Sequence, residues 1–141
     1  MPEEKKPEEK KEDKPKPVDN LVTSKHFIRI GGRTIKYTVT AGTMVLKEET
    51  ADREKEAEGE KPKAQVFFVA YSKDGVRDAA KRPLTFSFNG GPGSSSVWLH
   101  LGVLGPRRVL MHKDSELPPP PYQLTDNEFS ILDETDLVFI D

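Results

Sequence analysis

Apolar and polar residues alternate along the first part of this chain as a half-buried β-strand requires. The alternation is clearest from Ile35 to Val39, where every second side chain is apolar. The dipeptide Gly31-Gly32 precedes it and is a strong signal for a two-residue hairpin turn. We therefore expect paired strands at residues 26–30 and 33–40, with Ile28 opposite Ile35.

The alternating pattern also predicts a third strand. Residues 43–47 are expected to extend the second strand beyond a bend at Gly42, and the apolar, β-rich segment 64–71 is expected to follow. Turn residues at 72–75 end that segment. The charged stretch 48–63 is predicted to be a long surface loop or a frayed helix. Together these elements predict an antiparallel meander.

Two later apolar runs have a different character. Residues 84–88 carry apolar side chains at alternate positions and lead directly into a glycine-rich segment. Residues 137–140 are apolar without interruption, which is typical of a central parallel strand buried on both faces. Both runs are predicted to be strands.

A short helix is predicted between these two runs. Val97, Leu101 and Leu104 have the spacing of one helix face, and one of the serines at 94–96 is expected to cap the first turn. Gly105-Pro106 is expected to end the helix. A hairpin region followed by a strand, a helix and a strand predicts an α/β fold, the opening part of a larger sheet.

Composition divides the chain into two parts. Residues 1–20 are dominated by Glu, Lys and Pro, and such a segment cannot bury enough apolar surface to offset its ordering entropy. We expect it to be a disordered tail. Residues 21–141 are predicted to be one ordered unit, in which the four prolines at 118–121 form an extended loop.

Charge and residue usage exclude several classes of function. The net charge is −2, and no basic patch with interleaved aromatic residues is present, so we expect no nucleic-acid partner. No apolar run is long enough for a membrane span, and the charged start is unlike a signal peptide. The chain has no cysteine, and His26, His100 and His112 are isolated. We therefore predict no metal site and no cofactor, although His100 could face a cleft.

The segment Asn89–Ser96, Asn-Gly-Gly-Pro-Gly-Ser-Ser-Ser, is the candidate functional site. A glycine-rich turn between a strand and a helix brings several backbone N–H groups to one point. Such a point can bind a phosphate or a developing oxyanion. Taken in isolation, the same string is more typical of a flexible surface loop, and its position between a predicted strand and a predicted helix is what favours a binding site.

Spacing narrows the chemistry of this segment. No Gly-Lys-Ser/Thr follows the glycines, which excludes a phosphate loop. Val97 stands where a nucleophile elbow built on Ser95 would need its closing glycine. The remaining interpretation is an oxyanion hole, because α/β-hydrolases take one oxyanion donor from a loop after an early strand.

Three segments together resemble the serine carboxypeptidase family. The first is Phe88–Ser96, which is followed at a fixed distance by Leu104-Gly105-Pro106. The others are the Asn-x-x-Ser turn at Asn127–Ser130 and the strand Asp136–Asp141, which ends in Asp. The match runs from roughly Arg82 to Asp141.

The resemblance implies an α/β-hydrolase fold and the release of C-terminal residues from peptides by a serine, a histidine and an aspartate. It implies that the Gly91 backbone N–H is an oxyanion donor. It also implies that Asn89 and the Gly90 backbone hold the free carboxylate of the substrate. In that family the nucleophile, the aspartate and the histidine lie beyond the matched segment, so we expect an N-terminal fragment. Family members commonly enter the secretory route, which implies a secreted or periplasmic location.

Three residues depart from the family pattern. Ser87 stands where the family usually has Trp, Ser94 where it has Cys, and Val103 where it has a Glu that helps hold the carboxylate. Broader peptidase or esterase activity therefore stays open. So do a catalytically inactive, peptide- or partner-binding relative and a complete small β-rich interaction module. We expect Asp141 to be structural and near the site, and Trp98 to pack or to line a substrate pocket.

Overall fold

The structure, a computed structural model, describes residues 16–49 and 60–141. Within these residues the strands are β1 (Asn20–Ile30), β2 (Arg33–Glu49), β3 (Glu60–Lys73), β4 (Leu84–Ser87), β5 (Arg107–Val109), β6 (Leu124–Asp126) and β7 (Asp136–Ile140). Five of them form a mixed sheet in the order β1-β2-β3-β7-β4, and β5 pairs with β6 in a separate ribbon. A 3₁₀ turn at Ala79–Lys81 precedes β4.

The predicted hairpin of β1 and β2 is confirmed, with the predicted register. Gly31 and Gly32 have φ of 56° and 78°, as a two-residue turn with two positive φ angles requires. Ile28 lies opposite Ile35, and both are buried in the core. β1 begins at Asn20, six residues before the predicted start. The sequence does not indicate these six residues, because they are exposed and show no alternation of apolar and polar side chains.

The charged stretch 48–63 is predicted as a loop or helix, and this is wrong at both of its ends. Residues 48–49 belong to β2 and residues 60–63 belong to β3. Their backbones pair, and Lys63 and Glu48 form an exposed ion pair at 3.3 Å. Exposed charged side chains do not prevent a strand pair, because the ladder is made by the backbone. Residues 50–59 lie outside the described residues.

The predicted tail is also only partly described. Residues 1–15 lie outside the described residues, and residues 16–19 have no regular structure. The last predicted tail residue, Asn20, is already paired with Thr43 in the sheet.

β7 is central in the sheet, as predicted, but its two neighbours run in different directions. It is parallel to β4 and antiparallel to β3. Leu137 and Phe139 are almost fully buried on one face. Val138 and Ile140 on the other face are only partly buried, so the expected burial is confirmed for one face of the strand.

The helix between β4 and β5 differs from the predicted one. It begins as a single α-turn, α1 (Val97–Leu99), and continues as a π-helical turn at His100–Leu104. We call residues 97–104 the connecting helix. Its hydrogen bond from Gly105 N to His100 O measures 3.0 Å and spans five residues. No helix in the described part of the chain is long and apolar enough to cross a membrane.

The wider π-helical turn changes which side chains face the core. Leu99 and Leu104 pack against the buried cluster of the sheet, whereas Val97 is 41% exposed. Val97 and Leu101 instead line an apolar pocket on another side, so the predicted shared face of Val97, Leu101 and Leu104 is wrong. The prediction assumed 3.6 residues per turn, and a π-helical turn does not keep that spacing.

A buried ion pair fixes the start of both parallel strands. The Arg82 Nε donates to Asp136 Oδ1 at 2.7 Å, and the Arg82 side chain is only 9% exposed. The same carboxylate oxygen accepts from Lys73 N at 2.9 Å, and Arg82 also donates to the Asp133 carbonyl. These bonds join the end of β3, the entry to β4 and the entry to β7.

We expect Gly105→Ala to destabilise the protein by about 1–3 kcal/mol, the usual cost of an overpacked site. A Cβ at this position would lie 2.3 Å from the His100 carbonyl oxygen. That oxygen cannot move away without losing its bond to the Gly105 N–H. Urea unfolding of the purified protein measures the loss.

Gly102→Ala is the matched control for that substitution. A Cβ at Gly102 meets nothing within 4 Å, and alanine favours a helix over glycine by up to about 1 kcal/mol. The control should unfold at the same or a higher urea concentration. Equal midpoints for the two variants would contradict the predicted clash.

Candidate functional site

The glycine turn, residues 89–96, connects β4 to the connecting helix. Ser94 N donates to Gly91 O at 3.1 Å, which closes a β-turn over Pro92 and Gly93. Gly93 has φ of 85°. Proline at the second position and a positive φ at the third define a type II turn, so the sequence Gly-Pro-Gly dictates this geometry.

Gly91 also has a positive φ, of 83°. The nearest atom to a Cβ placed there would be Ser94 Oγ at 3.7 Å, so there is room for a side chain. Glycine is needed at this position for its backbone conformation and not for lack of space.

Two adjacent backbone donors in the turn are free. Within the described residues, no acceptor bonds the N–H of Gly90 or the N–H of Gly91. Both residues are exposed. Successive N–H groups beside a residue of positive φ form a concave donor site that suits an anion or a polarised carbonyl oxygen.

Asn89 adds an unused polar group next to these donors. Its side-chain oxygen Oδ1 is buried and has no hydrogen-bond partner among the described residues. Most buried polar atoms in native proteins are paired, so this amide oxygen is free to accept a hydrogen bond from a further donor. The three residues assigned to substrate contact by sequence, Asn89, Gly90 and Gly91, thus carry unused hydrogen-bonding capacity.

The far end of the turn is held by Asp141, at the end of β7. Its Oδ1 accepts from Ser96 N at 2.5 Å and from Ser95 Oγ at 3.1 Å. The Ser96 backbone N–H holds the pKa of the Asp141 carboxyl below its ordinary value. The carboxylate therefore occupies the start of the connecting helix, where negative charge is favourable.

This carboxylate replaces the serine cap that the sequence predicts. Ser96 occupies the N-cap position, but its hydroxyl makes no capping bond. Ser95 Oγ accepts from Val97 N at a long 3.3 Å. The predicted cap by a serine hydroxyl is wrong for Ser96, whose own backbone N–H is bound by a charged acceptor 45 residues away in sequence.

The other end of the connecting helix is held by the Asn127–Ser130 turn. Asn127 Nδ2 donates to Val103 O at 2.9 Å and to Gly105 O at 2.8 Å. Ser130 Oγ donates to Leu104 O at 2.7 Å. These side chains satisfy three consecutive carbonyls that a helix end leaves without partners.

His100 faces the core and does not face a cleft. Its Nε2 lies 2.5 Å from the Tyr71 hydroxyl, and its ring stacks on Phe139 at a centroid distance of 4.4 Å. Burial lowers the pKa of His100, and the charge of Asp141 opposes this in part. Burial raises the pKa of Tyr71. The neutral imidazole can therefore accept the tyrosine hydroxyl proton in a hydrogen bond.

The remaining candidates lie apart from the glycine turn. His26 stacks on Tyr37 from β1, and His112 lies in the loop after β5. Among the described residues no three His, Asp or Glu side chains form a group that could hold a metal ion. Trp98 is 73% exposed and lines an apolar pocket of about 440 Å³ with residues of the connecting helix and of the loop after β5. Its expected role in a substrate pocket stays a prediction.

Sequence reasoning missed the Tyr71–His100 pair and the contacts of Asp141. Tyr71 belongs to the buried cluster of the sheet, and Val69, on the same strand face, packs against that cluster. No local pattern indicated which helix residue would meet Tyr71, because the partners are 29 residues apart.

Among solved structures, the chain is similar to a prohormone-processing carboxypeptidase from Saccharomyces cerevisiae, with 27% sequence identity and a TM-score of 0.43. The similarity covers 72% of this chain and 19% of the yeast protein. No family model and no curated protein matches the chain.

We expect the free energy of unfolding to decrease as the pH falls below about 6.5, the pKa of an unperturbed histidine. The pKa of folded His100 is lowered, so the unfolded chain takes up a proton first and is favoured in acid. The contribution is complete above about pH 6.5 and is lost until the pH reaches the lowered folded pKa. Urea unfolding at a series of pH values measures it.

His100→Leu is the control for this pH dependence. The variant has no imidazole at this position. Below about pH 6.5, its free energy of unfolding should therefore fall less steeply with decreasing pH, by up to about 1.4 kcal/mol per pH unit. An unchanged slope in the variant would show that His100 is not the group responsible.

Proposed function

We propose that this chain is the N-terminal part of a serine-type carboxypeptidase with an α/β-hydrolase fold, which releases C-terminal residues from peptide substrates. In this proposal the glycine turn supplies part of the oxyanion hole and part of the site for the substrate carboxylate. The observation that carries the proposal is the pair of adjacent N–H groups of Gly90 and Gly91, which have no acceptor among the described residues.

The position of the turn in the sheet supports this proposal. The turn follows β4, the first strand with a parallel neighbour, and leads into the connecting helix before the chain returns in β7. Hydrolases of the α/β class present one oxyanion donor from a loop of this kind, between a strand and a helix.

The chemistry assigns a separate task to each group. The Gly91 N–H donates to the scissile carbonyl oxygen, which becomes negatively charged when a serine attacks. The Asn89 Nδ2 and the Gly90 N–H donate to the terminal carboxylate, which lies one residue away from the scissile bond and only accepts hydrogen bonds. Adjacent amides of one turn can therefore serve both groups. The nucleophile and the groups that move protons would come from residues outside this chain.

Val103 favours a broad substrate range within this proposal. Its side chain is 55% exposed and apolar, so it provides no hydrogen bond to a carboxylate. Asn89 and the Gly90 backbone would then hold the carboxylate without a third partner at this position. Cleavage of ester substrates alongside peptides is consistent with such an incomplete clamp.

The protein expressed from its complete gene should release the C-terminal residue from an N-blocked dipeptide, and a serine-directed covalent reagent should stop the reaction. Amino-acid release measured by chromatography, before and after treatment, tests this directly. A complete protein that binds the dipeptide without cleaving it would instead support the inactive, peptide-binding alternative.

Asn89→Ala should lower kcat/KM about 10- to 100-fold for a peptide with a free C-terminal carboxylate, the usual cost of a lost hydrogen bond to a charged group. The loss should be much smaller for an ester substrate that has no free carboxylate. Steady-state kinetics on both substrates provide the comparison.

Asn20→Ala, on the exposed start of β1, is the matched control and should change neither value. Equal losses on the two substrates in Asn89→Ala would argue against a role for Asn89 in carboxylate binding.

A further inference from the structure

We propose that Asp141 is a positioning residue that holds the glycine turn in the conformation in which the Gly90 and Gly91 N–H groups face the substrate. This inference rests on the proposed function and adds a residue to it. Asp141 itself would touch neither the substrate nor the reacting atoms.

Few other bonds hold the turn. Within residues 89–96 the backbone makes one internal bond, from Ser94 N to Gly91 O. Among the described residues, the hydrogen bonds that reach this segment from outside the turn and the connecting helix come from Asp141, to Ser95 Oγ and Ser96 N. The residues from Gly90 to Ser95 are exposed, so packing adds little restraint.

The Asp141 carboxylate is held in place by the sheet, because its residue directly follows an interior strand. Asp141 follows β7, which is paired on both edges, with Phe139 opposite Ser87 of β4 and Phe68 opposite Ile140. The Asp141 N–H also donates to Phe67 O at 3.0 Å, which extends the ladder to this residue. The sheet therefore fixes the acceptor, and the acceptor fixes the end of the turn.

Charge makes this contact strong and local. A hydrogen bond to an ionised carboxylate is roughly twice as strong as a neutral one. The Ser96 N–H belongs to the first turn of the connecting helix, whose dipole favours a negative charge there. Asp141 thus occupies the Ser96 donor at the C-terminal end of the turn, whereas the Gly90 and Gly91 N–H groups near its start have no acceptor among the described residues.

Asp141 therefore fixes the end of the turn at Ser95 and Ser96, while the Gly90 and Gly91 N–H groups near its start are left to bind the substrate. Small displacements of a catalytic donor are costly, since about 1 Å can reduce a rate 100-fold. The loss of one oxyanion donor costs about 100- to 1000-fold in kcat. When the bond to Asp141 is lost, we expect kcat to fall by less than it would with the donor removed altogether.

Asp141→Ala in the complete protein should therefore lower kcat about 10- to 100-fold, with KM within about twofold of the unchanged protein. The loss should be similar for peptide and ester substrates, because both pass through an oxyanion. This pattern differs from that expected for Asn89→Ala, where the free-carboxylate substrate is affected selectively. Asp141→Asn keeps an oxygen that can accept from Ser96 N and should recover a substantial part of the loss.

Asp74→Ala is the matched control. Asp74 follows β3, where its carboxylate binds Thr38 and Lys25, and its removal should leave kcat unchanged. Ser95→Ala removes one of the two bonds to Asp141 and provides a second, milder variant if Asp141→Ala does not fold. Circular dichroism establishes which variants are folded.

Hydrogen exchange of the peptide segment 89–97, followed by mass spectrometry, separates this inference from the proposed function. Faster exchange in Asp141→Ala than in the unchanged protein would support the anchoring role even without reference to catalysis. A complete protein that is active, with Asp141→Ala retaining its full kcat or its exchange rate, would overturn the inference. A complete protein without hydrolase activity would overturn the proposed function and, with it, the catalytic part of this inference.

Discussion

The eight-residue connecting helix cannot satisfy its own backbone, and the candidate site depends on how its ends are completed. A helix leaves four N–H groups at one end and four carbonyls at the other without internal partners, which in a helix of eight residues is half of each kind. Here Asp141 accepts from the first turn, while Asn127 and Ser130 donate to the last carbonyls. All three lie in the segment that leads into and through β7.

This dependence links the glycine turn to the sheet. β7 is an interior strand of the mixed sheet, between β3 and β4, and the largely buried Arg82–Asp136 pair sets where it and β4 begin. Removing one partner of such a pair leaves an uncompensated charge, which is strongly destabilising. The geometry of the turn therefore depends on contacts of β7 at both of its ends, although the turn precedes β7 by about 45 residues.

Patterns of short range predicted much of this arrangement. The Gly31-Gly32 hairpin, its Ile28–Ile35 register, the strand before the glycine turn and the stop at Gly105 all follow from neighbouring residues, because turn chemistry and strand period are local. The π-helical turn, the Asp141 cap and the Tyr71–His100 contact depend on partners 29 to 45 residues away or on tertiary packing. The start of β1 was missed because backbone pairing alone holds its exposed first half.

The departure at Val103 shows which part of that residue the fold uses. Its carbonyl accepts from the buried Asn127 side chain at 2.9 Å, whereas its own side chain is 55% exposed. Any residue except one that breaks the helix could supply that carbonyl, so the scaffold places no demand on the side chain. A glutamate and a valine at this position are therefore compatible with the same turn, helix and Asn127 contact. Replacing the glutamate by valine removes one group from the proposed carboxylate site, but it does not change the proposed oxyanion donors.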